Sequence, residues 1–408
     1  MINMRRSLFQ WFTGALLCAV CALLTLSAAA LRAEGIVGYV LSTDITAYID
    51  GYAIPSYNVD GHLGVVAEDL RSYGFSVLWN AEDCTLRVTR MERPVYTPLE
   101  LEPAAAAPGF VLSPVYATNI VTYVDGRAVE SFNIDGRTII YFSALDVYAK
   151  GGRVYDSGAR ASMISTERPL TGAVTLDREV FPDKIVHGGG QIGGLPGSNS
   201  MEALEATYAA GRRFIEMDFL LSSDGHPVAL HDWSRYYSYS LGAAPVSVEE
   251  FKKVKIFNRY TSVTLDSLAD WLSAHTDVYI VTDVKDDNLG VLRKIAEAHP
   301  EILPQILPQI YSEAEYAPVR ALGYSNIIFT LYRLPTYNEK ADAAGIVKIT
   351  ERIELLAVTF DCTLATPSYV ETLKTSGIPL CTHTVNGAEA QAQVFALGVD
   401  CVYTDYTD

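Results

Sequence analysis

From residue 184 to residue 404 the sequence alternates strand-like segments with helix-like segments. Helix-like stretches such as 201–211 separate the apolar runs, and several of them end at glycine, a residue that often closes a helix. This alternation is typical of βα units with parallel strands, and it predicts an α/β fold. We expect eight parallel strands near 184–187, 213–219, 278–284, 306–311, 326–331, 355–361, 378–384 and 399–404.

Two carboxylates lie on one face of the second predicted strand. The segment 213–219 reads RFIEMDF, and alternation places Glu216 and Asp218 on the same side. The Asp-Gly turn at 224–225 predicts a second short strand that runs back along the first. We therefore expect His231, which follows this returning strand, to lie beside the two carboxylates.

Another histidine ends the first predicted strand. His187 follows an apolar run and precedes three glycines at 188–190, which suits a backbone that comes close to an anionic ligand. Two histidines around a pair of carboxylates make a composition suited to metal-assisted acid/base chemistry.

A series of short motifs, in this order along the chain, resembles the glycerophosphodiester phosphodiesterase family. The resemblance covers 184–408 and implies a (β/α)8 TIM barrel over 182–408, with its chemistry at the C-terminal ends of the strands. The matching stretches are His187-Gly188-Gly189, Ser198-Asn199-Ser200, Glu216-Met217-Asp218, Asp224-Gly225-His226-Pro227-Val228, His231-Asp232, Asp283-Val284-Lys285, His383-Thr384-Val385-Asn386 and Thr404-Asp405.

The resemblance also implies roles for individual residues. The acid/base pair is His187 and His231. An oxygen-only metal site favours Ca²⁺ or Mg²⁺ over zinc, and its ligands are Glu216, Asp218 and Asp283. The residues implied in substrate binding are Gly188, Asn199, Lys285 and His383. Two alternatives stay open, because Lys285 could pair with neighbouring acids instead of phosphate, and His383 could be a pocket wall.

Three positions depart from the family's pattern. Gly188 stands where the family has an arginine that contacts the phosphate, Ser198 stands in place of a glutamate, and Asp283 is a shorter third carboxylate. The loss of the arginine removes one positive charge at the phosphate. Lys285 is the nearest candidate to replace it, and Arg235, which lies outside the residues that the structure describes, is a weaker one.

The predicted activity is hydrolysis of a glycerophosphodiester, or of a polyglycerol-phosphate polymer, to glycerol phosphate and an alcohol. In the family's chemistry the attacking group is the neighbouring glycerol hydroxyl, and water opens the cyclic phosphate that forms. A phospholipase C/D-like phosphodiesterase is an alternative that predicts exposed apolar residues at the barrel rim. A catalytically weakened envelope-binding protein is the other alternative.

Residues 1–33 have the layout of a secretory signal peptide. Arg5 and Arg6 precede an uncharged apolar run from Trp11 to Leu31, and small residues follow. We therefore predict export, with the protein secreted or associated with the cell surface. The run has 21 residues and could instead remain as an N-terminal anchor. Contact with a membrane is expected only through this segment.

Residues 45–61 and 120–136 are an internal repeat at a constant offset of 75 residues. Asp-Gly turns between alternating apolar residues predict hairpins in each copy, followed by a short helix-like piece. We expect two small α+β modules at 36–92 and 116–168, joined by a Pro/Ala-rich linker at 93–115. They resemble the small N-terminal module of copper amine oxidases. Such modules could bind a cell-envelope polymer or act as a spacer.

Composition narrows the possible partners. A formal net charge of −17 argues against binding to nucleic acid and is compatible with binding a divalent cation. The cysteines beyond the N-terminal segment are widely spaced, so we expect buried small apolar residues instead of a disulfide framework. They are Cys84, Cys362, Cys381 and Cys401.

Overall fold

The computed structural model describes residues 35–101, 107–234, 244–334 and 342–407. The predicted signal segment, 1–33, lies outside these ranges. None of the helices within them has the length and apolar character that a membrane span requires.

The N-terminal part of the chain consists of strands joined mainly by tight turns. Its helical pieces at Ala67–Ser72 and Phe142–Tyr148 are 3₁₀-helices. The strands are β1 (Ile36–Leu41), β2 (Thr46–Ile49), β3 (Tyr52–Ile54), β4 (Ser56–Val59), β5 (His62–Val66), β6 (Phe75–Asn80), β7 (Thr85–Arg90), β8 (Val111–Tyr116), β9 (Val121–Val124), β10 (Arg127–Val129), β11 (Ser131–Ile134), β12 (Arg137–Tyr141), β13 (Val154–Asp156) and β14 (Ala161–Ile164).

The repeated Asp-Gly pairs form the predicted hairpin turns. Each aspartate has a φ between 48° and 51°, and each following glycine has a φ between 74° and 80°. Two successive residues with positive φ fit the two-residue turn that matches the twist of a hairpin. The aspartates are Asp50, Asp60, Asp125 and Asp135.

The two copies of the repeat do not fold as separate modules, and this prediction needs correction. Strands of both copies close one six-stranded barrel in the order β1-β4-β5-β12-β11-β8, beside a four-stranded sheet, β10-β9-β7-β6. β1 pairs with β8, and β5 pairs with β12. A single copy would leave open strand edges, which the other copy covers. The predicted linker, 93–115, therefore contains most of β8.

The C-terminal unit starts earlier than predicted. Residues from Ala149 onward, together with Tyr48–Tyr52, group with the C-terminal barrel. Within this unit the backbone N–H of Asp50 donates to the carbonyl of Ile164, at 3.1 Å. The predicted second module, 116–168, is thus divided between two compact units.

The C-terminal unit confirms the predicted barrel. Eight parallel strands follow one another in space as β15-β26-β25-β24-β23-β22-β21-β16, and β15 pairs with β16 to close the ring. The ring strands are β15 (Lys184–Val186), β16 (Phe214–Leu221), β21 (Tyr279–Val284), β22 (Ile306–Ile310), β23 (Ile328–Thr330), β24 (Ala357–Asp361), β25 (Leu380–His383) and β26 (Cys401–Thr404).

Short strands extend the barrel at β16. The returning strand β17 pairs antiparallel with β16, as predicted, and β20 pairs with β17. A separate two-stranded sheet is formed by β18 and β19. The bounds are β17 (Pro227–Ala229), β18 (Lys255–Ile256), β19 (Tyr260–Thr261) and β20 (Val263–Thr264).

Helices follow most of the barrel strands along the chain. Ser200 caps the first helix by accepting from the N–H of Ala203, a contact that satisfies an unpaired donor of the first turn. Two of the helices, α2 and α6, were not predicted from the sequence. The helices are α1 (Met201–Ala209), α2 (Val248–Phe251), α3 (Leu265–Ala274), α4 (Asn288–Ala298), α5 (Tyr316–Ala321), α6 (Ala343–Thr350), α7 (Pro367–Lys374) and α8 (Ala388–Ala396).

An apolar layer fills the inside of the barrel. Side chains alternate along a strand, so the next side chain that points into the barrel comes two residues after each layer residue. These next residues lie at the C-terminal ends of the strands. Cys381 and Cys401 belong to this layer and are buried, as predicted for them. The layer comprises Ile185, Phe214, Val281, Leu307, Ile328, Leu356, Ala357, Cys381, Cys401 and Tyr403.

The interleaved N-terminal barrel predicts that one copy of the repeat cannot fold alone. A fragment of residues 36–92 leaves β1, β5 and β7 without their partners from the second copy. We expect it to show no cooperative thermal unfolding by circular dichroism, whereas residues 35–148 unfold cooperatively. A folded monomer of 36–92 would contradict the interleaved arrangement.

Candidate active site

The candidate site is built directly on the apolar layer inside the barrel. Five polar residues each follow a residue of this layer by two positions, and each lies on, or directly after, a different strand. They are His187, Glu216, Asp283, His383 and Asp405. Each therefore faces the barrel axis at the end where parallel strands finish. The barrel brings together residues that are up to 218 positions apart in the sequence.

Three carboxylates converge at this end of the barrel. Glu216, Asp218 and Asp283 each offer an oxygen atom, and these oxygens lie within 4.8 Å of one another. The parallel pairing of β16 with β21 sets Asp218 directly beside Asp283. All three are buried, with exposures of 1%, 1% and 8%, so their charges must be balanced within the site.

Glu216 is held by the glycine-rich turn after β15. The backbone N–H of Gly188 donates to Glu216 Oε2 at 2.7 Å. Burial first, and the nearby charge of Asp218 second, raise the pKa of Glu216 to about 8. The other oxygen, Oε1, is buried without a hydrogen-bond partner among the described residues.

Gly188 contributes its backbone, and a side chain at this position would not fit. Its φ is +58°, and a Cβ atom would lie 2.5 Å from the Cα of Gly197. The arginine that the family carries at this place therefore cannot be restored without moving the 188–197 turn. The predicted role of Gly188 in substrate binding remains a prediction, whereas its bond to Glu216 is observed.

Asn199 is held against the candidate metal ligand Asp218, and its role in substrate binding remains a prediction. Its side chain is fully buried. The amide Nδ2 donates to Asp218 Oδ2 at 2.8 Å, and the amide Oδ1 accepts from the backbone N–H of Asp218 at 3.0 Å. This two-point contact fixes the carboxylate of Asp218, so Asn199 positions a candidate metal ligand.

Asp283 is surrounded by donors that the sequence analysis missed. The hydroxyl groups of Tyr311 and Tyr332 donate to its Oδ1 at 2.5 and 2.7 Å. Burial would raise the pKa of Asp283, but the charge and hydrogen bond of Lys285, with the two tyrosines, hold it below its usual value. Tyr311 is the last residue of one predicted strand and Tyr332 follows the end of the next, and this position at strand ends was the available signal.

Lys285 bridges two of the three carboxylates. Its Nζ lies 2.8 Å from Asp218 Oδ1 and 2.7 Å from Asp283 Oδ2. Burial alone would lower the pKa of this ammonium group, but the carboxylates raise it above its ordinary value, so Lys285 stays charged. Lys285 therefore pairs with acidic residues, as in the alternative stated above. One of these residues, Asp218, comes from a different strand.

His187 is oriented by a carboxylate at the end of β26. Its Nδ1 lies 2.8 Å from Asp405 Oδ1, and Asn386 donates to the other oxygen of Asp405 at 2.6 Å. The Nε2 of His187 faces Glu216 Oε2 at 3.8 Å. Burial would lower the pKa of His187, but the charge of Glu216 and the bond to Asp405 outweigh it and raise the pKa to about 9.

His231 follows the returning strand, as expected. The backbone N–H of the preceding residue, Leu230, donates to the carbonyl of Asp218 at 3.0 Å. The imidazole is about one-third exposed, and its Nδ1 pairs with Asp232 Oδ2 at 3.1 Å. The backbone before His231 is thus bonded to the backbone of Asp218, while Asp232 orients the imidazole.

His383 stands among aromatic rings, in keeping with a pocket wall. Its ring centroid lies 5.8 Å from that of Tyr332 and 6.2 Å from that of Tyr403. Burial lowers the pKa of His383, so the imidazole is neutral at pH 7. Its Nε2 is buried without a hydrogen-bond partner among the described residues, which leaves it able to bond to a ligand.

The acidic cluster fits a divalent metal ion. The donors are all carboxylate oxygens, the type that Ca²⁺ and Mg²⁺ prefer. Among the described residues, Oε1 of Glu216 is buried without a hydrogen-bond partner, as expected for an oxygen that can bind a cation. Lys285 supplies only one of the charges that three ionised carboxylates require.

Three buried carboxylates and a histidine oriented by Asp405 thus stand at the C-terminal ends of the barrel strands, where barrels of this kind carry their chemistry. The sequence profile of the glycerophosphoryl diester phosphodiesterase family matches residues 188–408, slightly more than half of the 408-residue chain. The chain therefore belongs to this family. The predicted resemblance and the enzyme class are thereby confirmed for the barrel.

Solved structures of similar fold include several phosphodiesterases. An Oleispira antarctica phosphodiesterase in complex with the product sn-glycerol-3-phosphate is 18% identical, with a TM-score of 0.46 over 56% of this chain and 95% of that one. A Thermotoga maritima glycerophosphodiester phosphodiesterase is 19% identical, with a TM-score of 0.44 over 56% and 96%. A search of curated protein sequences found no match.

The raised pKa of Glu216 predicts that metal binding depends on pH. Burial and the charge of Asp218 raise the pKa of Glu216 to about 8, so a cation that binds near neutral pH competes with protons for this carboxylate. The affinity for Ca²⁺ should rise by up to about tenfold per pH unit below pH 8 and then level off. Calorimetric titrations between pH 6 and pH 9 measure this. The slope should shrink in Glu216→Gln, and a constant wild-type affinity would contradict the assignment.

Proposed function

We propose that the protein is an exported, metal-dependent glycerophosphodiester phosphodiesterase that releases glycerol phosphate and an alcohol. Family membership supports the reaction class. The observation that carries the proposal is the convergence of three buried carboxylates next to a histidine that Asp405 orients. Export, and attachment to a cell-envelope polymer through the N-terminal unit, belong to the same proposal and rest on the sequence alone.

The metal ligands in this proposal are Glu216, Asp218 and Asp283. A bound Ca²⁺ or Mg²⁺ would withdraw charge from a phosphate oxygen and lower the barrier to attack at phosphorus. Asn199 and the N–H of Gly188 hold two of the carboxylates in place, and Tyr311 and Tyr332 hold the third. Lys285 keeps a fixed positive charge beside the cluster, where it can face the anionic diester.

The two histidines divide the proton transfers between them. We assign His187 as the general acid, because Asp405 fixes its ring and the charge of that carboxylate favours the protonated imidazole. His231 is the general base and accepts the proton of the neighbouring glycerol hydroxyl as this oxygen bonds to phosphorus. The bond from phosphorus to the alcohol breaks, and the alcohol oxygen takes the proton of His187. Water then opens the cyclic phosphate, with the two histidines in exchanged roles.

The phospholipase alternative predicts exposed apolar residues at the barrel rim. Among the described residues that follow the ends of β15 and β26, the large exposed apolar side chains are Leu195 and Tyr406, at 41% and 38%. Two such side chains form a smaller apolar surface than insertion into lipid requires, so these two strand ends do not support that alternative.

A direct assay tests the proposal. Purified protein should hydrolyse glycerophosphocholine or glycerophosphoglycerol, and EDTA should abolish turnover until Ca²⁺ or Mg²⁺ is restored. Glu216→Gln should be inactive, whereas Asp270→Asn, on the exposed face of helix α3, should match the wild type. Full activity in excess EDTA would reject metal dependence. A folded protein that binds metal but hydrolyses no diester would favour the envelope-binding alternative.

The leaving group separates the roles of the two histidines. A p-nitrophenolate group is stable as an anion and leaves with little protonation. The loss of a general acid therefore lowers the rate less for a p-nitrophenyl ester than for a choline ester. We expect His187→Ala to lose roughly 10²- to 10⁴-fold in kcat on glycerophosphocholine, but far less on glycerol p-nitrophenyl phosphate. His231→Ala should lose activity similarly on both substrates. The reverse pattern would exchange the assignments, and equal losses for both variants on both substrates would exclude His187 as the acid.

A further inference from the structure

A second cation, Arg333, stands beside the acidic cluster without a role in the mechanism above. It lies three residues beyond the end of β23, on the side of the barrel where the strands finish. Its Cζ lies 4.2 Å from the ring centroid of Tyr311 and 5.5 Å from that of Tyr332. Guanidinium groups stack well on aromatic rings, and such contacts hold the side chain in a restricted orientation.

The same two tyrosines connect Arg333 to the candidate metal site. Both hydroxyl groups donate to Asp283 Oδ1. The ring of Tyr332 also packs edge-on against His383, with centroids 5.8 Å apart. Arg333 is therefore separated from the acidic cluster by single side chains and borders the same mouth as the proposed catalytic residues.

Arg333 differs from the other cations of the site in its partners. Lys285 is engaged by Asp218 and Asp283, and His187 by Asp405 and Glu216. Across 35–101, 107–234, 244–334 and 342–407, no carboxylate forms an ion pair with Arg333, and its observed contacts are the two aromatic faces. Within these ranges none of its five N–H donors is taken by a carboxylate, so the guanidinium group can bind an anionic ligand.

A phosphodiester needs such a donor at this site. The substrate is an anion and would approach three carboxylates, so cations must offset the repulsion. Position 188 cannot supply one, because a Cβ there would meet the backbone of Gly197 at 2.5 Å. A guanidinium group binds phosphate oxygens with two parallel hydrogen bonds, which a stacked and restricted side chain makes at a lower entropic cost.

We propose that Arg333 is a substrate-binding residue that pairs with the phosphate group of the diester. This inference rests on the proposed function. It implies that recognition is independent of the alcohol, because every glycerophosphodiester carries the same phosphate. It also implies that the tyrosines have two tasks, since their hydroxyl groups hold Asp283 while their rings hold Arg333.

The experiment compares Arg333→Gln and Arg333→Lys with the wild type. We expect Arg333→Gln to lower kcat/KM by roughly 10- to 100-fold on both glycerophosphocholine and glycerophosphoglycerol, as expected for a lost charged hydrogen bond to phosphate. The kcat/KM of Arg333→Lys should lie between those of the wild type and Arg333→Gln, because lysine keeps the positive charge but lacks the planar pair of donors. Arg87→Gln is the matched control, since Arg87 also lies over a tyrosine ring, at 4.7 Å from the centroid of Tyr123, in the N-terminal unit.

Two binding measurements distinguish this role from a structural one. With saturating Ca²⁺, the affinity for sn-glycerol 3-phosphate should fall by roughly tenfold or more in Arg333→Gln, while the thermal shift caused by Ca²⁺ alone stays at the wild-type value. A reduced Ca²⁺ shift would show that Arg333 acts by holding the tyrosines and Asp283, and would overturn the proposal. A loss of activity on only one of the two diesters would overturn it as well, because the contact would then be with the alcohol.

The outcomes also separate this inference from the proposed function. Wild-type protein that binds glycerol phosphate but hydrolyses neither diester would reject the proposed function, while the binding comparison still tests Arg333. Normal wild-type hydrolysis, unchanged in Arg333→Gln, would reject Arg333 alone. Absence of glycerol phosphate binding in the wild type would reject both.

Discussion

The organisation of the barrel depends on the burial of three carboxylates against one another. Each is almost inaccessible to solvent, and like charges at short range in a protein interior repel strongly. The surrounding residues offset this repulsion with a lysine, a backbone N–H, an amide and two phenols. Burial first, and the charge of Asp218 second, still raise the pKa of Glu216 above its ordinary value. A divalent cation would offset the repulsion further, so metal binding and stability are coupled in this site.

The barrel makes the site possible by stacking polar residues on an apolar layer. Ile185, Val281 and Cys381 fill the inside of the barrel, and the next inward residues on the same strands are His187, Asp283 and His383. The apolar layer stabilises the barrel. The layer at the strand ends carries the candidate catalytic groups, and burial of these polar groups is unfavourable because they lose their hydration. This division explains how unfavourable groups can be concentrated at one end of the barrel without unfolding it.

Period-two alternation and turn chemistry made much of the barrel predictable. They placed Glu216 and Asp218 on one face and returned the chain toward His231, because both patterns are local. Tyr311 and Tyr332 were missed because their importance comes from a contact with Asp283, which lies 28 and 49 residues away in the sequence. The contact of Asn199 with Asp218 was hidden for the same reason, since the two residues are 19 positions apart on different elements. The pairing of the two N-terminal copies was equally hidden, because it joins strands such as β5 and β12.

The most direct test of this account is the metal content of the protein and of its carboxylate variants. Equilibrium dialysis against Ca²⁺ or Mg²⁺, followed by elemental analysis, should find one tightly held ion per chain in the wild type. Glu216→Gln, Asp218→Asn and Asp283→Asn should each bind the ion much more weakly while keeping the wild-type circular dichroism spectrum. Metal-free wild-type protein with full activity, or variants that retain the ion as tightly as the wild type, would contradict the central claim.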